Sequence, residues 1–258
     1  MRAAEFIALR QHWPQDAIVD ADKALVELRI CKGEEEISDL RKAISISEAA
    51  LDEIFDSVKA GDTEAQVAAR LKQAMLAHGA EGFAFDSIVL SGARAANPHG
   101  HAGDYKISAG DAILIDFGAS YGVMNADITR TVFCDHVSDE HAAIYEVVKN
   151  ANAAGKAAVA PAVATELVDK AATSVLEDSP YSDLILHKTG HGLGREVHEA
   201  PQVMRGNRLP LAPGMVITVE PGLYRAGDIG IRVEDDVLVT DEGYESLTSY
   251  PRELKIVG

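Results

Sequence analysis

Acids and histidines lie beside glycines at the ends of apolar, strand-like segments in several parts of the chain. A carboxylate among apolar strand residues is costly to bury unless a cation pairs with it or a metal binds it. The pattern therefore favours a metal or catalytic site over ordinary surface acids. The segments are Ile115-Asp116-Phe117-Gly118, Ala126-Asp127-Ile128-Thr129-Arg130-Thr131, Thr189-Gly190-His191-Gly192-Leu193-Gly194, Val219-Glu220-Pro221-Gly222 and Ile231-Arg232-Val233-Glu234-Asp235-Asp236.

The spacing of four of these acids suits two hairpins. Asp116 and Asp127 are 11 residues apart, and Glu220 and Glu234 are 14 apart. Either interval lets adjacent antiparallel strands bring both carboxylates to one place. If all four converge, two divalent cations balance their charge, whereas a single cation leaves two negative charges in excess. With the imidazole of His191 added, the donor set is dominated by oxygen, which favours Mn²⁺, Co²⁺ or Fe²⁺ over a thiolate-type zinc site.

A pair of such metals has a defined chemistry. Two divalent ions about 4 Å apart would hold a bridging water as hydroxide, polarise a carbonyl and stabilise a tetrahedral intermediate. That chemistry is the hydrolysis of an amide.

These residues are similar, in this order, to the metal site of the pita-bread metallopeptidases, specifically the Xaa-Pro dipeptidase (prolidase) and Xaa-Pro aminopeptidase branch. The resemblance runs from about Leu28 to Leu254. It implies two divalent metal ions, Mn²⁺ first, with Co²⁺, Fe²⁺ and Zn²⁺ as alternatives. The ligands that it implies are Asp116, Asp127, His191, Glu220 and Glu234.

The resemblance also implies residues around the metals. Glu220 would act as general base or proton shuttle as well as ligand, and Arg232 would fix the orientation of a neighbouring ligand acid. His99 and His198 would contact the substrate near the scissile carbonyl, and His187 would help to shape the same pocket. His101, two residues after His99, is interpreted as a polar loop residue.

The elements that must position these residues follow from periodicity. Amphipathic spacing predicts four helices, and β-rich runs predict six extended segments. Because two helices precede strands twice, we expect an α+β pita-bread fold of two similar halves around a curved antiparallel sheet. The helices are 34–59, 63–77, 138–154 and 165–176, and the extended segments are 83–90, 112–117, 127–134, 184–187, 215–219 and 229–240. The first thirty residues are mixed, and Trp13-Pro14 is expected to break any helix there.

Domain division follows the same pattern. Residues 1–27 form a short N-terminal segment, and residues 28–258 form the catalytic domain. Members of the branch usually carry a separate N-terminal domain that walls the site, so a partner chain could supply the missing wall, and a homodimer is compatible with the sequence.

Composition limits the partners. The 258 residues carry a net charge of −17 and no block rich in lysine or arginine, which disfavours nucleic acid and membrane surfaces. Cys31 and Cys134 form no disulfide framework, and no signal peptide is readable. We therefore expect a soluble, cytoplasmic protein.

Three functions stay open from the sequence. The first is hydrolysis of Xaa-Pro bonds in dipeptides or short peptides. The second is a methionine aminopeptidase-type activity, which suits the chain length but not the Ile231-Arg232-Val233-Glu234-Asp235 pattern. The third is a non-catalytic binding module, which the five intact ligands argue against.

Overall fold

The computed structural model describes residues 2–13 and 18–258. The described part contains six α-helices, and none of them is both long and apolar enough to cross a membrane. They are α1 (Ala3–His12), α2 (Asp22–Arg29), α3 (Glu34–Ser57), α4 (Glu64–Ala77), α5 (Asp139–Ala157) and α6 (Thr165–Glu177).

Short strands follow each of the later helix pairs. Those after α3 and α4 are β1 (Gly82–Phe83), β2 (Ile88–Ser91), β3 (Ala112–Phe117), β4 (Ala119–Tyr121), β5 (Met124–Asn125) and β6 (Ile128–Cys134). Those after α5 and α6 are β7 (Gly190–Gly192), β8 (Glu199–Val203), β9 (Val216–Val219), β10 (Gly222–Arg225), β11 (Ile229–Arg232), β12 (Asp235–Val239), β13 (Tyr244–Ser246) and β14 (Ile256–Val257).

The helices begin where the sequence offers capping groups. The Thr63 hydroxyl accepts a hydrogen bond from the Gln66 amide at the start of α4, and Ser138 caps α5 in the same way through His141. One face of α3 is then buried, with residues at helical spacing that include Leu40, Ile44, Leu51 and Ile54. These side chains pack in one apolar cluster with residues of α4, β3 and β6.

Two sheets carry the strands that matter for the site, and their strand pairs are antiparallel except for the parallel pair β14–β6. One has the order β14-β6-β3-β2, and the other has the order β13-β12-β9-β7-β8. In the first, Asp116 of β3 is opposite Thr129 of β6, and in the second, Val219 of β9 is opposite Asp235 of β12. A short hairpin is inserted within each pair, β4–β5 in the first half and β10–β11 in the second. The two halves therefore share one arrangement.

Two glycines permit close approach of backbones beside this arrangement. A Cβ on Gly118 would lie 1.7 Å from the Ala126 carbonyl oxygen, and one on Gly190 would lie 2.1 Å from the Thr218 carbonyl oxygen. Because no side chain fits at these distances, glycine is required at both positions, between β3 and β4 and at the start of β7.

Three of the six predicted extended segments differ from the observed strands. The predicted strand at 184–187 is wrong, because residues 182–184 form a 3₁₀ turn and the next strand begins at Gly190. The predicted segment at 83–90 is broken between β1 and β2. The predicted segment at 229–240 is two strands in different sheets, and Glu234 lies in the break between them.

The N-terminal part is more helical than expected. α1 ends at His12, next to the expected break at Trp13, while Pro14 lies outside the described residues. The expected boundary between residues 27 and 28 falls inside α2, and the division into segment and domain stays a prediction.

Candidate metal centre and active site

One cavity of about 590 Å³ brings all of the predicted site residues together. It is also lined by apolar residues that include Phe85, Ile88, Pro98 and Val197. The predicted residues in its wall are His99, Asp116, Asp127, His187, His191, His198, Glu220, Arg232 and Glu234. The exposed His101 does not line it, which agrees with its interpretation as a loop residue.

The four acids reach this cavity from the ends of paired strands. Asp116 belongs to β3, and Asp127 directly precedes its neighbour β6. Glu220 directly follows β9, and Glu234 directly precedes β12. Asp127 and Glu234 are almost completely buried, at 4% and 1% exposed. The two hairpin predictions are confirmed, because each strand pair carries its two acids to the same end.

His191 comes from β7 and faces the acids with one ring nitrogen. Its Nδ1 lies 3.1 Å from the Gly192 carbonyl oxygen, and its Nε2 lies 3.2 Å from Glu220 Oε1 and 3.7 Å from Asp127 Oδ2. A proton on Nδ1 is therefore donated to the backbone, and Nε2 is directed at the carboxylates. A carbonyl that fixes the ring in this way is typical of metal-binding histidines.

The acids would repel one another without a cation. Burial raises the pKa of Asp127 well above its usual range, and the charges of Glu234 and Asp116 raise it further. Burial and the charges of Glu220 and Asp116 likewise raise the pKa of Glu234 well above its usual range. Buried carboxylates that face one another in this way are stabilised when cations bind between them.

Glu220 differs from these two acids. Burial by itself raises the pKa of Glu220, but the hydrogen bond and positive charge of a protonated His191 outweigh burial and lower this pKa to about 2. The carboxylate of Glu220 is therefore stabilised by its neighbours, unlike those of Asp127 and Glu234.

The ligand atoms form groups that could hold metal ions. Asp116, Asp127 and Glu234 form one group whose ligand atoms lie within 4.8 Å of one another, and His191, Glu220 and Glu234 form a second such group. Glu234 belongs to both groups. The Oδ1 atom of Asp116 is buried and has no hydrogen-bond partner in the described structure, so it is free to bind a cation.

His198 is a further candidate ligand. It forms a group of the same kind with Asp127 and His191, and its ring centroid lies 4.2 Å from that of His191. His198 and His99 are both exposed, unlike His191, so they can also contact a molecule that enters the cavity. Only this second role was predicted from the sequence.

Several supporting residues were missed by the sequence analysis. Arg232, which it did identify, donates from Nη2 to Asp116 Oδ2, while its Nε donates to Thr129 Oγ1 over 3.1 Å. Thr129 in turn donates to Glu234 Oε2 over 2.6 Å. The sequence signal that could have identified Thr129 is its position in the Asp-Ile-Thr-Arg-Thr segment, two residues after Asp127.

A hydrogen bond to Asp236 fixes the backbone at Asp127. Asp236 is fully buried, and its Oδ2 accepts a hydrogen bond from the Asp127 amide over 3.2 Å. Asp236 follows Glu234 by two residues in a run of three acids. Of these three, Glu234 lines the cavity.

The chain belongs to metallopeptidase family M24, whose model matches residues 38–241. It is 39% identical to an Xaa-Pro dipeptidase of Pyrococcus furiosus over 233 residues, which are 90% of this chain and 67% of the relative. It is also 40% identical to an uncharacterized peptidase of Bacillus subtilis over 240 residues, 93% of this chain and 68% of the relative. The chain thus spans about two thirds of the length of these relatives.

Solved structures agree with this assignment. An X-Pro aminopeptidase from Thermotoga maritima is similar over 100% of this chain and 72% of its own, with a TM-score of 0.96 and 38% identity. A prolidase from Pyrococcus horikoshii is similar over 98% of this chain and 73% of its own, with a TM-score of 0.94 and 35% identity. The expected pita-bread fold, the family and the class of metallopeptidase are confirmed.

Proposed function

We propose that this metallopeptidase uses two divalent metal ions to hydrolyse Xaa-Pro bonds in dipeptides or short peptides. The observation that carries the proposal is the convergence of four carboxylates and His191 in one cavity, in two groups that share Glu234. The names of the Pyrococcus and Thermotoga relatives support the choice of bond.

Five residues would hold the metals. Asp116 and Asp127 would serve one ion, and His191 and Glu220 would serve the other, with Glu234 shared. Two bound divalent ions supply an activated water and a polarised substrate carbonyl. Mn²⁺ is expected first because the donors are mainly oxygen, with Co²⁺, Fe²⁺ and Zn²⁺ as alternatives.

Side chains around the metals would supply proton transfer and stabilise the developing charge. Glu220 is partly exposed to the cavity, and as a carboxylate it can accept a proton from the attacking water and pass it to the leaving nitrogen. His198 and His99 line the same cavity and would donate hydrogen bonds to the oxygen that gains charge at the scissile carbonyl. Arg232 holds Asp116 in position through its guanidinium.

His187 has a different role from the two exposed histidines. Its Nδ1 lies 2.7 Å from the Lys188 carbonyl oxygen and its Nε2 lies 2.8 Å from the Tyr224 hydroxyl. Both ring nitrogens are therefore occupied within the protein, which supports shaping of the pocket over direct proton transfer.

The proline of the substrate explains how an Xaa-Pro bond would be recognised. An Xaa-Pro bond is a tertiary amide whose nitrogen carries no hydrogen, so its recognition depends on the fit of a ring. The apolar wall formed by Phe85, Ile88, Pro98 and Val197 can contact such a ring or the side chain before it. A homodimer stays a prediction, to be checked by the mass of the protein in solution.

Metal analysis with activity assays tests the proposal. Wild-type protein loaded with Mn²⁺ should bind two ions per chain and cleave Ala-Pro. Asp116→Ala and Glu234→Ala should each lower metal content, and Glu220→Ala should abolish cleavage without unfolding the protein. Glu35→Ala, on the exposed first turn of α3, is the control and should change neither.

The alternatives give different results in the same assays. Release of methionine from Met-Ala-Ser without cleavage before proline would favour methionine aminopeptidase activity. No cleavage of any peptide by fully metallated protein would favour the binding module. Unchanged metal content in both Asp116→Ala and Glu234→Ala would contradict the ligand assignment.

A further inference from the structure

Three ion pairs join residues 29–36 to one loop of the catalytic cavity and to the residue that directly follows it. This loop spans residues 193–198 between β7 and β8, and its Val197 and His198 line the cavity. The loop is therefore held by charged groups that lie far from it in the sequence. The pairs are Arg29–Glu196, Lys32–Glu199 and Arg195–Glu36.

Of these pairs, Lys32–Glu199 is the buried one. The side chain of Lys32 is 2% exposed and that of Glu199 is 11% exposed, whereas the side chains of the Arg29–Glu196 pair are 43% and 67% exposed. An exposed pair contributes little to the free energy of folding, while a buried pair that loses one partner leaves an uncompensated charge. Lys32–Glu199 is therefore the pair that can determine the position of the loop.

The backbone of Lys32 is anchored independently of this loop. Its amide donates to the Gly214 carbonyl over 2.8 Å, and the preceding Cys31 forms an antiparallel bridge with Met215. Its Nζ donates to Glu199 Oε1 over 2.5 Å. Lys32 thus reaches Glu199 from a part of the chain that is already fixed.

The loop is shaped around the buried pair. A Cβ on Gly194 would lie 2.7 Å from Lys32 Cε and 2.7 Å from Glu199 Oε1, so the two side chains meet directly over this glycine. The other carboxylate oxygen of Glu199 accepts from the Glu196 amide over 3.4 Å. Glu199 therefore connects Lys32 to the turn that carries His198.

The two ends of the loop have different anchors. Asn125 of β5 donates from Nδ2 to the Gly194 carbonyl over 3.1 Å and to the Arg195 carbonyl over 2.9 Å, which holds the first end. Glu199 holds the second end. Because His198 directly precedes Glu199 in the chain, a shift of Glu199 displaces the imidazole in the cavity.

We propose that Lys32 is a positioning residue of the catalytic site, whose buried ion pair with Glu199 holds His198 at the scissile carbonyl. The inference rests on the proposed Xaa-Pro activity and on the role of His198 in it. A donor stabilises the developing charge only when it is accurately placed, and a displacement of about 1 Å can cost about a hundredfold in rate. Lys32 does not line the cavity, so its loss should affect turnover more than the binding of substrate or metal.

Steady-state kinetics of Lys32→Met test this role. The methionine removes the ammonium and keeps an unbranched side chain. For Ala-Pro, kcat should fall at least about tenfold and KM should change less than about threefold, while the protein still binds two Mn²⁺ ions per chain. Lys149→Met, which breaks a pair with Glu146 on α5 away from the cavity, is the matched control and should change none of these values.

A double variant shows whether Lys32 acts through His198. His198→Ala alone should lower kcat about a hundredfold. In that background, Lys32→Met should lower kcat less than about twofold further, because the group that Lys32 positions is already gone. Losses that multiply in full would overturn the proposal.

A second double variant separates positioning from stability. Lys32→Met combined with Glu199→Gln leaves neither charge of the pair without its partner, so it should unfold at a higher temperature than Lys32→Met alone. Its kcat should nevertheless stay as low, because the link to the loop is still missing. A kcat that recovers together with the stability would mean that Lys32 acts only on the fold.

Hydrogen exchange supplies a readout that needs no activity. In Lys32→Met, the amides of residues 195–199 should exchange at least about tenfold faster than in wild-type protein, while those of β3 should be unchanged. Unchanged exchange in the loop would overturn the proposal. Glu199→Gln breaks the same ion pair with a side chain of the same size, so it replaces Lys32→Met if that variant does not fold, and the same results are expected from it.

The outcomes distinguish this inference from the proposed function. If wild-type protein does not cleave Ala-Pro, the Xaa-Pro activity fails and the catalytic role of Lys32 fails with it. If wild-type protein cleaves Ala-Pro but His198→Ala or Lys32→Met keeps the full kcat, the role of Lys32 is overturned while the Xaa-Pro activity stands.

Discussion

A chain of hydrogen bonds links two cavity residues through one tyrosine. Arg232 Nη1 donates to the Tyr224 hydroxyl over 2.6 Å, the hydroxyl donates to His187 Nε2, and His187 Nδ1 donates to the Lys188 carbonyl. Arg232 can only donate, so the Tyr224 hydroxyl accepts from Arg232 and donates its own proton to His187 Nε2. The proton of the neutral His187 ring therefore lies on Nδ1. Burial lowers the pKa of His187, which agrees with a neutral ring. Tyr224 therefore orients Arg232 and, through it, Asp116.

Removing the hydroxyl of Tyr224 tests this chain. Tyr224→Phe keeps the ring but leaves a buried donor of Arg232 and a buried acceptor of His187 without partners. We expect a loss of about 1–3 kcal/mol in the free energy of unfolding. We also expect kcat for Ala-Pro to fall about tenfold, because Asp116 loses part of its support. Urea unfolding and steady-state kinetics measure the two effects.

Tyr145→Phe is the matched control for this prediction. The Tyr145 hydroxyl is also hydrogen-bonded, to the Arg252 carbonyl over 3.0 Å, but it does not line the catalytic cavity. This variant should lose stability and keep its kcat. Equal losses of kcat in both variants would mean that Tyr224 acts only through stability.

The elements that carry the acids were the most predictable part of the molecule. The intervals of 11 and 14 residues between the paired acids left room for a hairpin, and both strand pairs formed as expected. The four later helices also formed, within three residues of their predicted ends, because their apolar spacing and capping residues are local signals.

The elements that failed lacked such local signals. The segment at 229–240 has β-rich residues on both sides of its acids, and no glycine or proline lies between Ile231 and Thr240 to mark the change of sheet at Val233 and Glu234. Residues 184–186 are apolar as well, but Leu184 is buried in a 3₁₀ turn. Thr129, Tyr224 and Asp236 act through partners distant in sequence, so their roles depend on the tertiary structure.

The loop that carries His99 depends on one buried acid of α4. Glu64 is fully buried at the first turn of this helix. Its carboxylate accepts from the Ser91 amide over 2.9 Å, from Arg94 Nε over 3.0 Å and from the Gly103 amide over 3.0 Å. It therefore fixes both ends of the loop between residues 91 and 103.

Glu64→Gln should loosen this loop. The amide keeps one acceptor oxygen and loses the charge, so the free energy of unfolding should fall by about 1–3 kcal/mol. If His99 contacts the substrate, kcat should fall too, and metal content should stay the same. Glu146→Gln, which affects an exposed pair with Lys149 on α5, should cost less than about 1 kcal/mol and leave kcat unchanged. A normal kcat in Glu64→Gln would show that the loop keeps its position without this acid.

At the scale of the whole molecule, Arg130 joins the two halves beneath the metal cavity. It lies on β6, is 2% exposed, and reaches groups of the second half. It donates to the carbonyl of Glu234 over 2.6 Å and to Asp235 Oδ1 over 2.7 Å. It also donates to the carbonyls of Tyr250 and Pro251, close to the segment that returns as β14 beside β6.

Arg130→Met should therefore destabilise the whole fold. The methionine fills a similar space but leaves several buried carbonyls unpaired and removes one of the cations around Asp235, which Lys156 and Arg252 also contact. We expect the free energy of unfolding to fall by about 3–5 kcal/mol. Urea unfolding followed by circular dichroism measures it.

Two further variants identify the cause of that loss. Arg41→Met breaks an exposed pair with Glu245 and should cost less than about 1 kcal/mol, so the loss of an arginine alone is not the cause. Asp235→Asn combined with Arg130→Met should lose still more stability, because the buried Lys156 then lacks its carboxylate partner. Since Arg130 holds the carbonyl of Glu234, Mn²⁺ should also bind more weakly to Arg130→Met than to wild-type protein. A variant with unchanged stability and unchanged Mn²⁺ affinity would show that the halves are held together by the apolar core and not by this arginine.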